Sequence, residues 1–265
     1  MINKVIKFWD RKQIASDTKR YDKKYIQLEK FNKIQLEALI RLENINMLTR
    51  PVYSCLHDKI KDVLIDKNLI VLELGSGFGM YTSVIANTGV KLTILDISEV
   101  ALKINNRINP GLYKSILGSI DSIPLPNQSV DVVIICNSLS YANPKKVNRE
   151  ILRVLKQGGS LIVSDALDHN VIYRINRLIK ILIGARSINS VFRIPKMSSI
   201  KELSRHFEMS EITFFGKWLW LLAPIIKLIP RVSQFNQKID SWGPNRLAFQ
   251  FVLVCKSYSP DQRKI

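Results

Sequence analysis

Between residues 69 and 165 short apolar runs, dense in β-branched residues, alternate with longer stretches of mixed polarity. The runs are Ile70–Leu74, Leu92–Leu95, Tyr113–Leu117, Val130–Ile135 and Leu161–Ser164. Their apolar residues are consecutive rather than alternating, which predicts parallel strands covered on both faces. Strand and helix taking turns predict a doubly wound sheet with right-handed crossovers. Gly158-Gly159 reads as the turn between a helix around Arg149–Leu155 and the fifth strand. Glu211–Phe215 and Phe249–Cys255 read as two further strands.

The flanks carry a helical period instead. Over residues 16–50, Leu28, Phe31, Ala38, Leu42 and Ile45 recur at steps of three and four, and Pro51 is read as the interruption. A second helical piece is predicted from Val52 to Leu64. Beyond Asp165, His169–Ile183 reads as a helix with Ile172, Ile175, Ile179 and Leu182 on one side and Arg174, Arg177 and Lys180 on another. Ser199 and Glu202 have the spacing of a capping box ahead of Leu203 and Phe207.

A glycine-rich segment joins the first strand to its helix: Val71-Leu72-Glu73-Leu74-Gly75-Ser76-Gly77-Phe78-Gly79. Glycines at alternate positions let the backbone bend sharply and approach a ligand where a Cβ would collide. The helix start that follows, near Tyr81 to Ala86, offers free N–H groups. A dinucleotide turn needs a third glycine at position 80, which is Met80 here, so the spacing argues against a pyrophosphate ligand. Asp96 closes the second strand, placed to accept hydrogen bonds from two ribose hydroxyls. Each element alone fits a bland role: a loop for the glycines, a helix cap for Asp96. Order and spacing together favour a nucleoside site.

Residues 69–165 resemble the core of class I S-adenosylmethionine (SAM) methyltransferases, particularly the small-molecule group that includes the ubiquinone methyltransferases. The resemblance implies a Rossmann-like, doubly wound α/β fold: a seven-stranded, mostly parallel sheet with an antiparallel last strand. It further implies a SAM-binding domain over 69–265, a helical extension over 1–68, and a helical cap between strands five and six, about 169–234. By the same resemblance Gly75, Gly77 and Gly79 hold the methionine part of SAM, Glu73 helps position its amino group, and Asp96 with Ile97 meets the ribose. Gly118 to Pro126, with Ser119 and Ile120 at its start, resembles the adenine-side loop. Where the family often has aspartate this chain has Ser119, a weaker acceptor than a charged one.

Methyl transfer asks mainly for alignment of the acceptor, and for a base only where the acceptor must lose a proton. In the resembling family the loop after strand four faces the transferred methyl. This makes Asn137 and Tyr141 candidate positioning groups, against the alternative of loop capping and packing. His169, just beyond Asp165 at the carboxyl edge of strand five, is the best-placed histidine for a base, against an ordinary helix-start role. No metal-ligand spacing is visible. Asn137-Ser138-Leu139-Ser140 lacks the Asn/Asp-Pro-Pro-Tyr pattern of nucleic-acid amino methylation, and Cys136 does not follow a proline as in cytosine-C5 enzymes.

Charge changes the picture at one end only. The net charge is +18, distributed as +6 over residues 1–68, +2 over 69–165 and +10 over 166–265. A basic surface away from the cofactor motifs suits an acidic substrate, an anionic membrane face or RNA, and equally suits solvated lysines. Trp218-Leu219-Trp220 and the apolar stretch to Pro230 are too short for a bilayer span of about 20 residues. They suit peripheral membrane contact, or burial against the cap's own core or a dimer partner. Three scattered cysteines form no disulfide framework, and no leader-like apolar run follows the start, so a cytoplasmic setting is expected, with peripheral contact at the inner membrane face as the cap reading. The sequence thus supports an enzyme methylating an oxygen of a small-molecule, glycan or lipid-linked acceptor. An RNA or protein methyltransferase, and a non-catalytic binding protein of the same fold, are the alternatives. Oligomeric state is not legible.

Overall fold

The computed structural model describes residues 18–19, 22–23, 25–41, 49–168, 170–182, 193–217 and 244–260. His169 and the Trp218–Pro230 stretch fall outside the described residues.

Seven strands form one sheet: β1 (Ile70–Leu74), β2 (Lys91–Asp96), β3 (Lys114–Leu117), β4 (Val130–Cys136), β5 (Leu155–Ala166), β6 (Phe207–Phe215) and β7 (Gln250–Tyr258), in the order β3-β2-β1-β4-β5-β7-β6. The first five pair in parallel, and β7 runs antiparallel to both β5 and β6. The strand order reverses between β1 and β4. Loops leaving their carboxyl ends diverge there, which opens the crevice where such sheets take ligands.

Alternate side chains leave the sheet in opposite directions, and its central strands are buried on both faces, while the edge strands β3 and β6 are more exposed. Leu72, Leu74, Val133, Ile135, Leu161 and Val163 share one core with the helices Pro144–Val154 and Met197–Ser204. Val71, Ile94, Val132, Ile134 and Ile162 share the other with the helix Arg50–Val63 and Ile85 of the short helix Thr82–Ala86. Among the described residues the helices with defined ends are, in chain order, α1 (Lys33–Ile40), α2 (Arg50–Val63), α3 (Thr82–Ala86), α4 (Glu99–Ile108), α5 (Pro144–Val154), α6 (Val171–Leu182) and α7 (Met197–Ser204).

Several sequence expectations need correction. The 16–50 helix is broken: residues 25–29 are helical, and Asn32 then caps a new helix, accepting from the Gln35 N–H at 2.9 Å. Pro51 starts a helix instead of ending one, because the first turn needs no N–H from it. Val52, Leu56 and Ile60 of that helix lie fully under the sheet, so α2 is a layer of the core itself. β5 begins six residues earlier than its apolar run, at Leu155. Its register against β4 shifts from Leu155 to Ser160 across Val130 and Val132, so the glycine pair forms an irregularity inside the strand. No capping box forms at Ser199, which lies within α7; Lys196 precedes that helix without a side-chain cap. β6 falls inside the 169–234 stretch, which is therefore divided between a β5–β6 and a β6–β7 connection.

Candidate cofactor and acceptor site

β1 ends in the glycine turn, and the turn is pinned to the neighbouring strand. The N–H groups of Gly75 and Ser76 donate to the Leu95 carbonyl at 2.7 and 3.3 Å. Asp96 completes the clasp. Its Oδ2 accepts from the Gly77 N–H at 2.8 Å and its Oδ1 from the Ser98 N–H at 2.8 Å, just before Ser98 caps α4. Burial pushes the Asp96 carboxyl up, while the N–H groups of Ser98, Gly77 and Ile97 pull it down. One carboxylate thus fixes the turn, the end of β2 and the start of α4. The Gly118 N–H donates to the Asp96 carbonyl at 2.9 Å, bringing the loop after β3 to the same place.

These loops enclose a cavity of about 440 Å³, lined by Gly75, Gly77, Asp96, Ile97, Ser119 and Ile120 among the sequence-predicted cofactor residues, and by Asn137 and Tyr141. Met80 lines it too, at the position a dinucleotide turn reserves for glycine. The remaining two predicted residues, Glu73 and Gly79, stand behind the cavity. Strand alternation puts Glu73 on the same face as Val71, 2% exposed, where the Thr82 hydroxyl donates to it at 2.6 Å. Asn105 donates to Thr82 Oγ1 at 2.9 Å, and Asn109 to Asn105 Oδ1 at 3.0 Å, so a buried polar chain ties α3 to α4. Burial raises the Glu73 carboxyl to about 8, against the pull of Thr82. Gly79 is a packing glycine, since a Cβ there would lie 2.6 Å from Asn105 Oδ1.

The other half of the cavity is walled by side chains without a sequence signature. Tyr53 of α2 stacks on Tyr81 with ring centroids 5.5 Å apart, and both line the cavity with Tyr25 and Tyr173. Ser138 clasps the two central loops: its hydroxyl lies 3.1 Å from the Gly75 carbonyl and 3.0 Å from that of Cys136. Asn137 adopts φ 54°, its N–H donating to the Ser164 carbonyl at 2.7 Å. Cys136 ends β4 with its thiol pushed well up by burial, so it holds its proton rather than acting as a nucleophile. Asp165, at the carboxyl end of β5, also lines the cavity and accepts from the Leu139 N–H at 2.8 Å. Among the described residues no cluster of metal-binding side chains occurs.

Comparison with known proteins agrees with this geometry. Residues 72–163 match a family described as a methyltransferase domain. This chain carries a class I SAM-dependent methyltransferase domain. The domain is 35% identical over 96 residues to a demethylmenaquinone methyltransferase of Renibacterium salmoninarum, covering 36% of this chain and 40% of that protein. It is 34% identical over 122 residues to a sterol 4-C-methyltransferase of Caenorhabditis elegans, covering 43% and 36%. The chain therefore spans well under half the length of the curated relatives it matches. The fold is shared with geranyl diphosphate C-methyltransferase of Streptomyces coelicolor, solved with geranyl diphosphate and S-adenosyl-L-homocysteine, at a TM-score of 0.56 and 15% identity over 78% of this chain and 80% of that one.

Proposed function

We propose that the chain is a SAM-dependent methyltransferase acting on an oxygen of a small-molecule, glycan or lipid-linked acceptor. The observation that carries the reading is the clasp of Asp96 on Gly77, 2.8 Å across, in the wall of a cavity that tyrosines also line. The residues fit the cofactor. Gly75 and Gly77 line the cavity without side chains of their own, Asp96 keeps lone pairs beyond those given to Gly77 and Ser98, and the buried Ser76 hydroxyl has no partner among the described residues. When bound, SAM supplies an electrophilic methyl group on a sulfonium.

The chain's own task is then positioning. Asp96 would take ribose hydroxyls, Ser119 and Ile120 the adenine side, and Asn137 and Tyr141 the acceptor. Tyr53 and Tyr81 exclude water from the cavity and keep the acceptor close, which is where a methyltransferase gains most of its rate. His169 remains the proposed base for an acceptor that must lose a proton. The decisive experiment is transfer of labelled methyl from SAM into fractionated lipids, glycans and RNA. Label in the lipid or glycan fraction, lost in Asp96→Ala, is expected; label confined to RNA or protein overturns the acceptor class.

Two further parts of the reading concern the whole chain. The N-terminal helical residues would form the acceptor side, supported by Tyr25 and Tyr53 at the cavity wall. Peripheral contact with an anionic membrane is supported by Ile175, Leu178 and Ile179 of α6, each about half exposed, on a helix that also carries Arg174. Failure to sediment with anionic liposomes would remove that part.

A further inference from the structure

The wall of the cavity formed by β5 and β7 is not needed to hold a nucleoside, yet it is chemically equipped. Gln250 opens β7, in register with Ala166 of β5 on one side and Phe215 of β6 on the other, so it sits at the carboxyl end of β5. It is 9% exposed and lines the cavity, and its Oε1 is buried without a hydrogen-bond partner among the described residues. An orphaned carbonyl oxygen this deep is unusual in a native fold unless a ligand or water meets it.

Arg193 enters the same cavity. Ile194 packs with Ala166 in a small cluster that Tyr173 joins, which brings Arg193 to the edge where Gln250 lies. Its guanidinium carries five N–H donors and, among the described residues, uses one, toward the Tyr141 carbonyl at a long 3.4 Å. Among the described residues no carboxylate pairs with it. Of the carboxylates that share the cavity besides Asp96, Asp165 turns its two oxygens to the N–H groups of Leu139 and Ala166, and Asp121 accepts from the Asn143 N–H at 2.9 Å. The nucleoside end of the cavity presents a carboxylate, Asp96, and the far end presents a cation and an acceptor that no group among the described residues neutralises or pairs.

We infer that the acceptor is a small organic anion, bearing a carboxylate or phosphate that Arg193 holds and a hydroxyl or N–H that Gln250 accepts. The inference rests on the methyltransferase reading only in calling the bound molecule the acceptor; the anion site stands on Arg193 and Gln250 themselves. Guanidinium forks match both carboxylate and phosphate, so the two sources share one chemistry here.

The test uses the full chain, with and without S-adenosylhomocysteine, titrated calorimetrically with inorganic pyrophosphate and, separately, with benzoate. One or both probes are expected to bind the wild type, and Arg193→Met is expected to lower that affinity at least about tenfold while Arg193→Lys keeps part of it. S-adenosylhomocysteine affinity is expected to stay within about twofold in Arg193→Met. A loss there would assign Arg193 to the cofactor and overturn the inference. Lys91→Gln, at the exposed amino end of β2 and not in the cavity lining, controls for the general positive charge; an equal loss in that variant would show diffuse attraction only. Gln250→Met should leave the melting temperature of the unliganded chain unchanged or higher, because an orphaned oxygen is removed. A clear drop would give Gln250 a structural role instead. Pyrophosphate binding without benzoate binding identifies phosphate as the anion, and the reverse a carboxylate; binding of neither overturns the site. A chain that binds anions but not S-adenosylhomocysteine would refute the cofactor reading and leave this site standing.

Discussion

At Gly75 the backbone is held at φ 67°, and a Cβ there would lie 2.2 Å from Ser138 Oγ. Alanine would meet both the left-handed strain, about 1–2 kcal/mol, and a collision with the clasp between the β1 and β4 loops. Gly75→Ala is expected to weaken S-adenosylhomocysteine binding at least about tenfold by calorimetry. Adding Ser138→Gly should restore part of the loss, because it removes the collision and leaves the strain. No recovery would mean that the collision is not what alanine costs. Glu73 makes a prediction of a different kind. Its carboxyl holds its proton to about pH 8 in the folded chain, against 4.5 when exposed. Between those values the unfolded chain gives up the proton and the folded chain does not, so this group's stabilising contribution is present below about pH 4.5 and is lost as pH rises toward 8. Glu73→Gln copies the protonated form. Its melting temperature should match the wild type near the lower value and exceed it near the upper one. A wild-type advantage at the upper end would show that Glu73 is ionised in the fold.

The elements that position the site differ in how plainly they were written. The central parallel strands announced themselves because burial on two faces demands consecutive apolar residues, whereas β3 at the sheet edge is largely exposed, and the turn with Asp96 stood out by its glycine spacing. Pro51 misled because proline suits the first turn of a helix as well as a break. Glu73 and Gly79 stand outside the cavity lining for a related reason: the motif fixes their spacing, but strand alternation and the approach of α4 decide which way they face. Tyr25, Tyr53, Arg193 and Gln250 carry no spacing signal at all, since they meet only through the fold. α5 illustrates how such a meeting matters. Asn143 caps it, accepting from Lys145 and Lys146 N–H groups at 3.1 and 3.3 Å, and its own N–H donates to Oδ1 of the cavity residue Asp121 at 2.9 Å. Asn143→Ala removes the cap and keeps the backbone bond. A loss of about 1 kcal/mol is expected, read as a melting temperature about 2–4 °C lower, with S-adenosylhomocysteine affinity unchanged. A drop in affinity would show that the cap, and not only the backbone, holds the adenine-side loop.

For the molecule as a whole, the excess of +18 is a standing repulsion that folding concentrates into a smaller volume. Against it stand ion pairs such as Lys59–Glu211 at 2.7 Å and Lys156–Asp131 at 2.8 Å, each linking elements distant in sequence. Exposed pairs of this kind contribute about 0–1 kcal/mol each and weaken as salt is added. Repulsion among many like charges is screened by the same salt, and its relief stabilises the fold. The two effects oppose one another, and the imbalance of 40 basic against 22 acidic side chains decides between them. The melting temperature is therefore expected to rise as sodium chloride goes from about 20 to about 300 mM, over which the screening length falls several-fold. Cofactor affinity should barely follow, because residues 69–165 carry only +2. RNA bound through the basic flanks would instead lose affinity by orders of magnitude over the same range. A melting temperature that falls with salt would mean that the ion pairs outweigh the repulsion, and that the basic residues of the flanks are neutralised by partners within the chain.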